Sequence, residues 1–362
     1  MSNANTNAIL NFGKELTIEQ AVKLTLAVPE NIMCWVGEPG VGKSSAMGIF
    51  EEILGDTYNY AYVDCANLDL GDVAILVPDM KAGITRCLPN SRFKLNEGKP
   101  VVIMLDEYSK APKPVQNMLH PLFEVRNPRL GDVPLPEGSI VFMTGNHTGD
   151  GVGDTLLGHT LNRITKINIG KFMEPWMQWA ADTGCVDGVV MAWVDQYPHC
   201  FATYRDGEQD DNPYIYNPRK MQSAYVSPRS LVRASNIIKC RDKFDSDTLI
   251  AALSGTIGES AARDMQAYIE FQDQLPKGEQ IRKDPEGTPI PKDAGACSVL
   301  VYNMIQSVDK DSIGAYMEYV ERMEPEWQST FCISIAKSKK KQCVAFTSAK
   351  FANWVQANED IL

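Results

Sequence analysis

The chain has 362 residues, more than one ordinary hydrophobic core carries, so two or three packed units of roughly 100 to 200 residues each are expected. A composition of 44% hydrophobic, 22% charged and 9% aromatic residues is that of a globular protein and excludes long disorder, collagen and a coiled-coil rod. With 35 Lys plus Arg against 46 Asp plus Glu, the net charge of −11 excludes a global basic field for nucleic acid or anionic lipid, leaving only local basic patches.

The first third alternates helical and extended signals. Thr17 to Gln20 reads as a capping box opening an amphipathic helix through Ala27, which Pro29 stops. An apolar run from Asn31 to Val36 follows, then a Gly-rich turn, a helix near Lys43 to Leu54 and an extended run from Tyr58 to Val63. Short apolar runs recur at Val101 to Leu105, Ile140 to Thr144 and Ile164 to Ile169. Such runs separated by helical stretches predict a parallel sheet covered on both faces, an α/β unit over about residues 1–172. After Gly170 the pattern turns helical: Met173 to Thr183, Asp187 to Tyr197, Pro228 to Lys239 and Asp247 to Glu270 form an expected helical lid, 173–270. The Pro-, Lys- and Gly-rich stretch from Leu275 to Asp293 reads as a linker. Helices at Cys297 to Val308, Asp311 to Met323, Glu326 to Ala336 and Phe346 to Asn358 complete a C-terminal extension, 271–362. Trp176, Trp179 and Trp193 are expected in the core of the lid, and Lys337 to Lys341 as a solvated helix end.

The chemistry is concentrated in the first unit. Gly37, Glu38, Pro39, Gly40, Val41, Gly42, Lys43 and Ser44 fit G-x-x-x-x-G-K-[ST] between a strand and a helix, with Ser45 next in line. Glycines there let backbone N–H groups surround a phosphate, Lys43 reaches the β- and γ-phosphates, and the Ser44 hydroxyl ligates Mg2+. The apolar run to Leu105 ends in Asp106 and Glu107, an acid for the Mg2+ and an acid to polarise the attacking water. Asn146 ends the next apolar strand, where ligands of doubly wound sheets bind. Arg163, before the last strand, and Arg229, opening a helix, are candidates to neutralise charge building on the γ-phosphate. The phosphate cradle does not choose between ATP and GTP.

In this order the motifs resemble those of the AAA+ ATPases, in particular the MoxR and dynein-related branch. The most specific stretch runs from Leu105 to Glu124, similar to the family's D-E-x-x-x-A-P-x-x-V-Q-N-x-L segment; Gly131 to Gly138 fits its pre-sensor hairpin, and Glu174 to Ala181 and Ser227-Pro-Arg-Ser230 also match. The resemblance covers about residues 8–265. It implies Walker A at Lys43 and Ser44, Walker B at Asp106 and Glu107, sensor 1 at Asn146, the arginine finger at Arg163 and sensor 2 at Arg229. It further implies ATP and Mg2+ as cofactors, a homo-oligomeric ring, usually a hexamer, and chaperone-like remodelling of a protein client, frequently with a von Willebrand factor A domain partner. The sequence departs from the family at Tyr108-Ser109-Lys110, where I-N-R is usual, and in His147 and the Gly-rich loop after it.

Two other readings stand beside the remodelling ATPase: a nucleic-acid motor or restriction subunit, and a scaffold held together by bound nucleotide. Nine widely spaced cysteines without a C-x-x-C pair indicate neither a disulfide framework nor a zinc site, and His120, His147, His159 and His199 are too scattered for a metal centre. No apolar stretch approaches the roughly 18 residues of a membrane span, and no secretory signal is legible, so a cytoplasmic protein is expected.

Overall fold

Strand β1 (Ile32–Val36) explains the architecture of the first region. Ile32, Cys34 and Val36 pack on one face and Met33 and Trp35 on the other, all buried, so the sheet containing them is covered on both sides. The computed structural model describes residues 14–147, 156, 158–207 and 209–361, and the chain divides into two compact units after Gly170. The expected features at residues 1–13 and in the Gly-rich stretch 148–153 lie outside the described residues.

In the first unit the elements follow as α1 (Ile18–Ala27), β1, α2 (Ala46–Leu54), β2 (Asn59–Asp64), α3 (Leu70–Val73), β3 (Ala74–Asp79), β4 (Ile84–Pro89), β5 (Val101–Asp106) and α4 (Lys113–Leu119), then β6 (Arg129–Leu130), β7 (Val133–Pro134), β8 (Ile140–Gly145), α5 (Gly158–Leu161) and β9 (Ile164–Asn168). Five strands form one parallel sheet in the order β2-β5-β8-β1-β9. Alternation along β1, β5 and β8 sends Cys34, Ile103, Leu105, Val141 and Met143 to a layer with Tyr108, Val115 and Leu119. It sends Trp35, Val102, Met104 and Phe142 to a layer with α1 and α2. In that second layer Trp35 packs on Phe142 (ring centroids 4.8 Å apart) and on Phe50 of α2 (6.3 Å). The expected capping box is present at α1: Thr17 Oγ1 accepts from Gln20 N (3.2 Å) and Gln20 Oε1 from Thr17 N (3.0 Å).

In the first unit, three details differ from the sequence reading. The helix expected from Lys43 begins as a 3₁₀ turn, Lys43–Ser45, and becomes α-helical at Ala46. The hairpin expected over 131–138 is shorter and earlier: β6 pairs antiparallel with β7 around a turn at Gly131, whose φ of 57° and closeness to the Cys87 carbonyl leave no room for a Cβ. An antiparallel hairpin, β3 with β4, stands where no strand signal was read, with Leu76 73% and Met80 87% exposed.

The second unit is helical, as the sequence indicates: α6 (Met173–Thr183), α7 (Gly188–Gln196), α8 (Pro228–Ile238), α9 (Ser246–Ile257), α10 (Glu259–Gln274), α11 (Gly278–Lys283), α12 (Ala294–Ser307), α13 (Ile313–Val320), α14 (Pro325–Ala336), α15 (Gln342–Ala345) and α16 (Ala349–Ala357). The single helix expected over 247–270 is broken at Gly258 (φ 90°), and the expected linker contains α11. Residues expected as a lid and as a C-terminal extension share one hydrophobic cluster running from Trp176 to Phe351. Trp176 and Trp193 lie in it, but Trp179 is 38% exposed, because its position three residues after Trp176 falls at the edge of the buried face of α6. Lys341 is not solvated as expected. Its ammonium donates to the Ile305 (2.6 Å) and Gln306 (3.1 Å) carbonyls at the end of α12.

Candidate functional site

The sheet order sets β1, β8 and β5 side by side, in register at Val36 with Gly145 and at Leu105 with Met143, so the residues following these strands converge. This is the carboxyl edge of a parallel sheet, where open α/β folds bind ligands. After β1 the loop 37–42 turns on Gly40 (φ 83°) and Gly42 (φ 105°), conformations that side chains with a Cβ avoid. At Gly37 an added Cβ would stand 2.7 Å from the Ile169 carbonyl, so the loop also lies close against the end of the sheet. Lys43 is buried, and its ammonium donates to the carbonyls of Gly37 (2.7 Å) and Glu38 (3.0 Å) and to Asn146 Oδ1 (3.2 Å). Ser44 Oγ donates to Asp106 Oδ2 (3.3 Å), while Ser45 Oγ turns back to the Gly42 carbonyl (2.6 Å).

Asp106 closes β5 and accepts from three hydroxyls. Besides Ser44 it accepts from the Tyr62 hydroxyl (2.6 Å) on β2 and from Thr144 Oγ1 on β8. Tyr62 is pushed well above the ordinary tyrosine range, first by burial and then by the hydrogen bond and charge of Asp106. Glu107 follows with a left-handed backbone (φ 52°, ψ 39°), unusual for a residue with a side chain. Its N–H donates to Thr144 Oγ1 (3.1 Å); its carboxylate accepts from Asn146 Nδ2 at Oε1 (3.4 Å) and from Lys110 at Oε2 (2.6 Å).

The structure therefore brings together Lys43, Ser44, Asp106, Glu107 and Asn146. Arg163 has a different partner, and Arg229 belongs to the second unit. Arg163, exposed between α5 and β9, donates from Nη1 to His120 Nδ1 (3.2 Å). Arg229, also exposed, is in the first turn of α8, a helix capped by Ser227 and Ser230, in the second unit. The sequence reading passes over Tyr62 and Thr144, and it marks Lys110 only as a departure from the family pattern, without assigning it a partner. The two-residue period of the strands carried a signal for the first two: Tyr62 pairs with Met104, two residues before Asp106, and Thr144 precedes Asn146 by two.

The α/β core with a parallel sheet, followed by helices, that the sequence leads one to expect is the architecture observed. No protein-family profile and no curated protein matches the chain. Among solved structures it is similar to a candidate ATPase from Cytophaga hutchinsonii, at 13% identity over 72% of this chain and 89% of that one, with a TM-score of 0.33. It is also similar to the RuvB Holliday junction branch migration motor of Thermotoga maritima, at 15% identity over 80% and 84% of the two chains and a TM-score of 0.33. A third likeness is to NtrX from Brucella abortus in complex with ATP, at 9% identity over 97% and 69% and a TM-score of 0.38. Likenesses this distant assign no residue and no activity to the chain.

Proposed function

We propose that this chain is a Mg2+-dependent ATPase of the AAA+ group, MoxR-like, that works in the cytoplasm as a homo-oligomeric ring, a hexamer, and uses hydrolysis to remodel a protein client or a von Willebrand factor A domain partner. The observation that carries the enzymatic part is the convergence of Lys43, Ser44, Asp106, Glu107 and Asn146 at the ends of β1, β5 and β8. The ring and its client rest on the sequence resemblance alone.

The residues present fit the ligands. A loop built on left-handed glycines with a buried ammonium at its end suits a polyphosphate, and a hydroxyl 3.3 Å from a carboxylate is the all-oxygen donor chemistry that Mg2+ prefers. Ser44 and Asp106 would hold the metal, which when bound neutralises charge on the β- and γ-phosphates. Lys43 exchanges its carbonyl and amide acceptors for phosphate oxygens. Glu107 takes a proton from water as the water oxygen bonds the γ-phosphorus; the bond to the bridging oxygen breaks, and its electron pair leaves with ADP. Asn146, between Lys43 and Glu107, orients that water. Arg163 and Arg229 are proposed to add positive charge to the γ-phosphate, Arg163 from a neighbouring subunit.

The test is a pair of variants. Lys43→Ala is expected to abolish nucleotide binding, measured with a fluorescent ATP analogue. Glu107→Gln is expected to bind ATP but to lower turnover at least about 100-fold. Unchanged binding in the first would reject the phosphate site, and unchanged turnover in the second would remove Glu107 from the mechanism.

A further inference from the structure

The short segment after β5 holds an ion pair that the reaction outlined above leaves without a task. Tyr108–Lys110 is a single 3₁₀ turn closed by Lys110 N donating to the Glu107 carbonyl (2.8 Å). That turn brings the Lys110 side chain back over Glu107, and its ammonium lies 2.6 Å from Oε2 with the two side chains only 26% and 35% exposed. On the other oxygen Asn146 Nδ2 donates to Oε1, and Asn146 Oδ1 accepts from Lys43, so four side chains form one line from the phosphate loop to Lys110.

An exposed pair three residues apart is worth roughly 0 to 1 kcal/mol and would merit no comment. This one is different in three respects. It is half-buried, it grips a residue whose backbone is in the left-handed region, and it is matched by a second donor on the opposite carboxylate oxygen. A glutamate has three side-chain torsions and, left half in water, spreads over many rotamers. Donors on both oxygens select one orientation of the carboxylate plane, and a proton acceptor is effective when it is held in line before the reaction starts.

We propose that Lys110 is a positioning residue for Glu107: its ammonium holds the carboxylate in the orientation from which it receives the water's proton. The proposal rests on the reading of Glu107 as that acceptor. Lys110 acts through Glu107 and takes no part in binding nucleotide, which separates its signature from that of Lys43.

The experiment uses the full chain with saturating Mg2+ and ATP. Lys110→Met keeps the length of the side chain and removes the charge; it is expected to lower kcat about tenfold or more, with KM and the affinity for a fluorescent ATP analogue unchanged. Lys110→Arg, which restores a cationic donor, is expected to recover most of the rate. In a Glu107→Gln background, Lys110→Met is expected to cause no further loss in single-turnover hydrolysis, because the group it positions is already gone. Wild-type kcat in Lys110→Met overturns the proposal. A higher kcat also overturns it, since the pair would then restrain Glu107 rather than aim it. A loss that Arg does not recover and that persists in the Glu107→Gln background overturns it too, as a general structural defect. Should Glu107→Gln alone hydrolyse ATP at the wild-type rate, the assignment of the base fails first, and Lys110 loses its role with it.

Discussion

The two units use their polar side chains differently. In the first, the polar groups at the sheet edge bond to one another: Lys43 to Asn146, Asn146 to Glu107, Lys110 to Glu107, and Ser44, Tyr62 and Thr144 to Asp106. In the second, they mostly serve the backbone. Ser235 Oγ accepts from Asp187 N (2.7 Å), Tyr319 donates to the Pro289 carbonyl (2.8 Å), Asn212 to that of His199 (2.8 Å), and Lys341 to the end of α12. The pair of Tyr214 and Asp264 (2.6 Å) is an exception. A bond to a helix end stabilises one conformation and has no alternative partner. A bond between two side chains is exchangeable, so a ligand with better acceptors can replace it. The first arrangement suits a candidate site, and the second suits a fixed framework.

The largest test of this contrast is a pair of equal cavities. Trp35→Ala and Trp193→Ala each empty a fully buried position and are each expected to cost about 3 to 5 kcal/mol in denaturant unfolding. Only Trp35→Ala is expected to weaken nucleotide affinity per folded molecule, because Trp35 packs on Phe50 of α2, the helix that Lys43 leads into. An equal loss of affinity in Trp193→Ala would erase the distinction. A finer comparison is Thr144→Val against Ser227→Ala. Each removes a hydroxyl hydrogen-bonded at the start of a structural element, at a cost of about 1 kcal/mol. Turnover is expected to fall with the first alone, since Thr144 touches both Asp106 and Glu107.

The smallest effect is a pH dependence. Burial lowers the Lys341 ammonium from its ordinary value to about 8. Between that value and the ordinary lysine range of about 10.4, the unfolded chain keeps a proton that the folded chain has released, so stability from this group rises with pH through that window. Below pH 8 both states are protonated and the full cost of burying the charge remains. Unfolding midpoints of wild type and Lys341→Met from pH 7 to 10.5 should converge or diverge accordingly; a wild-type minus variant difference that does not change with pH would place the ammonium in water.

Much of the site was legible because its signals are contiguous. The loop from Gly37 to Ser45 and the run ending in Asp106 and Glu107 are each read within a single stretch of chain. What was missed depends on register or on weak burial. Tyr62 and Thr144 reach Asp106 only because β2 and β8 flank β5 in one alignment. The β3 and β4 hairpin has no buried face to impose a clean alternation, and Pro78 and Pro89 within its strands read as breakers. The helix breaks at Gly258 because its left-handed backbone redirects the chain, which a long apolar period obscures.

The left-handed backbone of Glu107 has an evolutionary corollary. A residue with a Cβ in that conformation carries strain of order 1 kcal/mol that glycine would relieve, and asparagine would ease. Selection for thermal robustness alone would therefore drift away from glutamate at the position proposed to accept the proton. On the proposed role, its presence there is a compromise between durability and turnover, and ancestral or consensus redesign of this chain should hold residue 107 fixed.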